Sequence, residues 1–123
     1  MGAVEAARAE GRPVLVDFTA DWCWTCRVNK QTSLEIAPVI EKLREVGAVT
    51  LLGDYTLKDP AITAELQRWD RAGVPLVLVY PADPSQPPRV LPELLTPGIV
   101  LDALEWAGKG EGLTSQNRLA ASP

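Results

Sequence analysis

A chain of 123 residues has the length of one domain, and 46% hydrophobic with 23% charged residues is the composition of a globular protein that buries its own core. A formal net charge of −4 without any basic stripe argues against a nucleic-acid partner, which needs a concentrated Lys/Arg surface. No run of about 18 apolar residues is available to span a membrane, and Met1 to Arg12 mixes Ala with Glu and Arg instead of forming a secretion signal's apolar stretch, so this segment is not expected to insert.

In chain order, Val4 to Ala9 predicts a short helix, and Pro13 to Phe18 predicts a buried strand, an apolar β-branched run bounded by Gly11 and Ala20. From Trp24, apolar residues Val28, Leu34, Ile36, Val39, Ile40 and Leu43 recur near helical spacing. They predict a helix to about Glu45, kinked or split at Pro38 and stopped by Gly47. Ala48 to Leu52 predicts a second apolar strand. Asp59-Pro60 offers a helix cap and a first-turn proline, with the helix ending near Ala72-Gly73. Pro75 to Tyr80 predicts a third strand, the turn-rich Pro81 to Pro88 a long loop, and Arg89 to Leu94 the returning strand of a hairpin. Thr96-Pro97 opens a last helix carrying Ile99, Val100, Leu101, Leu104 and Trp106, which Gly108 is expected to close. These elements predict an α/β fold, a central mixed four-stranded sheet flanked by helices on both faces. One domain is expected over residues 1–110, and the polar segment 111–123 reads as a flexible tail.

The chemistry concentrates at Cys23 and Cys26, a C-x-x-C pair placed directly after a buried strand and at the start of a helix. A cysteine at a helix N-terminus faces unpaired N–H groups that favour thiolate, so Cys23 is the expected nucleophile. Cys26, about one turn further in, suits a resolving thiol. Zinc would need further ligands, and the chain has no histidine and no third cysteine. An incidental structural pair and a Cu(I) site built on two thiolates remain alternatives. Neither a metal nor an organic cofactor is required for the exchange chemistry itself.

Asp17 interrupts the apolar first strand, where an ionised carboxylate is costly and its pKa should rise. It is either the proton acceptor for Cys26 or an edge residue that meets solvent. Trp22 and Trp24 flank the nucleophile, and Trp24, at a helix start, is expected to border a partner surface. Trp69 and Trp106 fall on helical apolar faces and read as core. Arg27 and Lys30 either raise the local positive potential or are solvated helix charges. Pro75 is tolerated at a strand's first position because it lacks an N–H.

The segment Val16-Asp17-Phe18-Thr19-Ala20-Asp21-Trp22-Cys23-Trp24-Thr25-Cys26 resembles the thioredoxin superfamily. Thr19 to Cys26 is similar, more narrowly, to the C-terminal domain of DsbD-type thiol:disulfide interchange proteins, including the related ScsB group linked with copper tolerance. Asp54-Tyr55-Thr56, Asp59-Pro60, Gly73-Val74-Pro75 and Val90 to Pro97 continue the likeness. The resemblance implies a cis bond before Pro75 and a docking surface made by Val74 and Pro75 with Trp22, Trp24 and Thr25. It implies a reductant relay in the periplasm, part of an inner-membrane protein. Electrons would arrive from a membrane-embedded domain of the same polypeptide and pass to a partner disulfide. A free-standing thioredoxin-like reductase or oxidase is the alternative within the family, and a Cu(I)-binding or interaction module the alternative outside it. Three departures stand out: Trp24-Thr25 where thioredoxin has Gly-Pro, Lys30 where relatives often carry an acid, and Gly53 where many carry lysine.

Overall fold

Apolar β-branched residues build the strand from which the rest of the fold is hung. In the computed structural model, which describes residues 2–110, β1 (Val14–Thr19) is the inner strand next to β2 (Val49–Asp54), to which it runs parallel. On its other side it pairs antiparallel with β3 (Leu76–Tyr80), which in turn pairs with the two-residue β4 (Arg89–Val90). The order β2-β1-β3-β4 makes a mixed four-stranded sheet, as the sequence led us to expect. A parallel β1–β2 pair requires a crossover. Here it is made of α2 (Trp24–Asn29), a π-helical turn at Lys30–Leu34, and α3 (Ala37–Val46).

Alternation along the strands divides the core in two. Val14, Val16 and Phe18 join Leu76 and Leu78 in a cluster closed by Val4 and Ala7 of α1 (Gly2–Ala9) and Leu66 of α4 (Pro60–Arg68). On the opposite face Leu15, Val77 and Val79 pack with Val39 of α3 and with Val100, Ala103, Leu104 and Ala107 of α5 (Pro97–Gly110). Trp69 and Trp106 are half-buried against the first and second cluster respectively. No helix among the described residues is long and apolar enough to cross a membrane.

Pro38 splits the long helix, settling in the first turn of α3, where its missing N–H costs nothing. Gly47 ends α3 with φ 71°, and Ala48 N–H donates to Leu43 O at 2.9 Å. Asp59 caps α4 by accepting from Ala61 N–H at 2.8 Å. Other boundaries differ from expectation. Helix α4 stops at Arg68 rather than near Gly73, because Asp70 takes a left-handed φ of 61° and Arg71 N–H turns back to Leu66 O at 2.9 Å. β4 ends at Val90 rather than Leu94, since Pro92 has no N–H to continue the ladder. Helix α5 runs through Gly108 to Gly110. Gly108 serves close packing and not termination, for a Cβ there would stand 2.8 Å from Val46 Cγ1. β2 alternates half-buried and exposed residues, as an edge strand with one covered face does. The expected tail lies outside the described residues.

Candidate active site

Cys23 and Cys26 meet in a disulfide, with Cα atoms 5.3 Å apart, where β1 gives way to α2. Cys23 holds the N-cap position of α2, its φ of −92° and ψ of 106° still extended, so its sulfur faces the helix's unpaired amides. Cys26 N–H donates to Cys23 Sγ at 3.2 Å. This donor favours negative charge on Cys23 once the disulfide opens. Both cysteines are buried, Cys23 at 7% and Cys26 at 4% exposure, within the cluster that includes Phe18, Ala20 and Tyr55.

The two residues before Cys23 are pinned by the β2–α4 loop. Asp54 Oδ1 accepts from Thr56 N–H at 3.0 Å and from Thr56 Oγ1 at 2.5 Å, bonds that hold the Asp54 carboxyl below the usual carboxylate range. Thr56 Oγ1 in turn accepts from Asp21 N–H at 2.9 Å, and Thr56 O accepts from Trp22 Nε1 at 3.0 Å. Trp22 therefore lies at the surface, 52% exposed, with its ring 6.4 Å from that of Tyr55 and the Lys58 ammonium 5.4 Å from its centre. Trp24 is 71% exposed and Thr25 half-buried, so the residues between the cysteines face solvent to very different degrees. Across from them, Val74 is half-buried against the cysteine-containing cluster, Pro75 is buried, and the bond joining them is cis. Arg71 fixes the start of β3 by donating to Pro75 O at 2.8 Å and to Leu91 O at 3.0 Å.

Asp17 lies on an inner strand and not at the sheet edge. It shares the Leu15 side of β1 and lines a cleft of about 310 Å³ together with Lys30, Leu34, Glu35 and Leu52. Burial pushes its carboxyl up from the ordinary 3.8 to about 6; the Lys30 ammonium opposes that rise and Glu35 adds to it. The register pairs Asp17 with Leu52, whereas Gly53 pairs with Phe18 on the other face. A Cβ at Gly53 would meet the Phe18 ring at 2.4 Å. The glycine thus takes no neighbour away from Asp17.

One structural residue of the site escaped the sequence reading. Asn29, 1% exposed, donates through Nδ2 to Glu93 O at 2.8 Å and accepts from Leu95 N–H at 3.0 Å, tying α2 to the segment before α5. Its signal was available, a polar residue three positions after Cys26 on the inward side of the helix.

Comparison with known proteins bears on this arrangement. Residues 2–82 match a family model described as thioredoxin-like. The chain is 37% identical over 86 residues, 70% of its length, to the thiol:disulfide interchange protein DsbD of Ralstonia nicotianae, of which it spans 14%. Among solved structures, the reduced C-terminal domain of Neisseria meningitidis DsbD is 25% identical with a TM-score of 0.60, covering 88% of this chain and 94% of that one. A thioredoxin from Thermus thermophilus matches with a TM-score of 0.68 at 18% identity, over 99% of this chain and 93% of the other.

Proposed function

The chain belongs to the thioredoxin-like family, and from that premise we propose that it is a disulfide reductase domain, a relay that receives electrons as a dithiol and delivers them to partner disulfides. The observation that carries this reading is the Cys23–Cys26 disulfide at the start of α2, with the Cys26 amide directed at Cys23 Sγ.

In the reduced domain, the Cys23 thiolate attacks one sulfur of a partner disulfide and expels the other as a thiolate. Cys26 then loses its proton and attacks Cys23, forming the intramolecular disulfide and releasing the second partner sulfur. Two electrons pass to the partner. Asp17 accepts the Cys26 proton, directly or through water in its cleft, because a carboxylate poised at about 6 exchanges protons near neutral pH. The partner chain docks across Trp22, Trp24 and Thr25 on one side and Val74 and Pro75 on the other. In the cell the domain works in the periplasm as part of an inner-membrane protein, refilled by a cysteine pair in the membrane-embedded part of the same polypeptide, a reading supported by the likeness to DsbD.

The test is exchange with a protein disulfide. Cys23→Ser abolishes it, and Cys26→Ser accumulates a mixed disulfide through Cys23; an active Cys23→Ser variant overturns the assignment. The reduction potential gives the direction. A value well below the roughly −180 mV of protein disulfide isomerase supports the relay, and one near the roughly −120 mV of a strong oxidant reverses it.

A further inference from the structure

Lys30 stands between the cysteine-bearing helix and the cleft of the buried acid. It follows Cys26 by about one helical turn, at the point where α2 passes into the π-helical turn. Half-buried, it lines the cleft that holds Asp17 and also a smaller one of about 160 Å³ formed with Thr19, Ala20, Asp21 and Arg27. The charged groups around it come from each neighbouring element. Asp17 faces it from β1, Glu35 from the end of the π-helical turn, and Asp54 at the end of β2 lies within its field. From α3 and the rest of β2 the larger cleft receives Val39, Ile40, Leu43, Thr50, Leu51 and Leu52, none of them titratable. The smaller cleft adds one acid, Asp21, and one cation, Arg27, which donates to Asp21 O at 2.9 Å. Among the described residues lining the larger cleft there are thus two acids and one cation.

We propose that Lys30 is a positioning residue for proton transfer, its ammonium group holding the Asp17 carboxylate charged and ready to accept the Cys26 proton. The inference rests on the exchange reading above and assigns Lys30 to its second half. With the mixed disulfide on Cys23, the Cys26 thiol gives its proton to Asp17. The resulting thiolate forms the Cys23–Cys26 bond, the bond from Cys23 to the partner breaks, and the partner leaves as a thiolate carrying two electrons. Asp17 then passes its proton to solvent through the cleft. Lys30 keeps its own proton throughout. Removing its charge leaves the acid beside Glu35 alone, and a smaller fraction of Asp17 is ready to accept a proton at neutral pH.

The experiment follows the Asp17 carboxyl by carbon-detected NMR in the full reduced chain, and in parallel the pH dependence of mixed-disulfide resolution in single turnover. Lys30→Met is expected to raise the Asp17 midpoint by about one pH unit, the low end of what a nearby opposite charge supplies. The resolution profile should move with it, and Lys30→Arg should keep the wild-type midpoint. Lys30→Gln repeats the neutral comparison should the methionine variant not fold. An Asp17 midpoint that stays put in the neutral variant, or that moves as far with arginine, overturns the inference. So does a moved midpoint with an unmoved resolution profile. If the wild-type chain shows no exchange at all, the functional reading itself fails, and this inference with it.

Discussion

Asp17→Asn should make the oxidised protein more stable at neutral pH and have far less effect in acid. The Asp17 carboxyl ionises near 6 in the folded chain and near its ordinary 3.8 in the unfolded one. Between those values the unfolded chain has released the proton that the folded chain keeps, so stability falls as pH rises through this window and levels off above it. A rise of about two units at about 1.4 kcal/mol each amounts to about 3 kcal/mol, and water in the open cleft lowers the expected gain to about 2 kcal/mol. Asparagine has the same shape without the charge, so it removes the cost of an ionised buried group while still hydrogen-bonding to water. Urea unfolding of both proteins, at about pH 4 and about pH 7.5, isolates this residue, because the carboxylates common to both cancel in the difference. A stability difference that is the same at both pH values, or an asparagine variant weaker at the higher one, refutes the reasoning. The same variant should resolve mixed disulfides slowly, which would show a residue retained at the expense of stability.

Asn29→Ala leaves Glu93 O and Leu95 N–H without their partner inside the protein and should cost about 2 to 4 kcal/mol, measured by urea unfolding; a loss under about 1 kcal/mol would mean that water replaces the amide. Trp24→Ala should leave stability within about 0.5 kcal/mol, as the ring is largely exposed, yet raise KM severalfold for a folded protein disulfide and not for a small one. An unchanged KM with the protein substrate would remove Trp24 from the docking surface. Gly108→Ala should destabilise by about 1 to 3 kcal/mol by pushing α5 away from Val46, and Val46→Ala in the same chain should recover most of that loss.

The elements that carry the site were legible because each has a local cause. The apolar run at Val14 to Phe18, the cysteine spacing, the Asp59-Pro60 cap and the Pro38 break all act within a few residues of themselves. The misread boundaries depend on distant partners. Gly108 looks like a stop signal until Val46 of α3 is seen against it. The last part of the expected fourth strand leaves the sheet at Pro92, and the segment that follows is held by Asn29 of α2, 64 and 66 residues away in sequence. Trp22 was expected beside a docking surface, but the Thr56 and Lys58 contacts that hold it at the surface belong to another loop and leave no signature near position 22.

The same distinction governs the surroundings of Asp17. Position 53, a glycine where the resemblance implies lysine, is placed by strand pairing across from Phe18, whose ring occupies the space of any side chain there. The residues that the sheet does place beside Asp17 are Leu52 and Val77, neither of which carries a charge. Positive charge in the cleft lining must therefore come from the crossover, and the helical turn after Cys26 delivers it at Lys30. The acid and the sulfurs are in this way linked through one short helix, with Lys30 about one turn after Cys26 and in the lining of the Asp17 cleft.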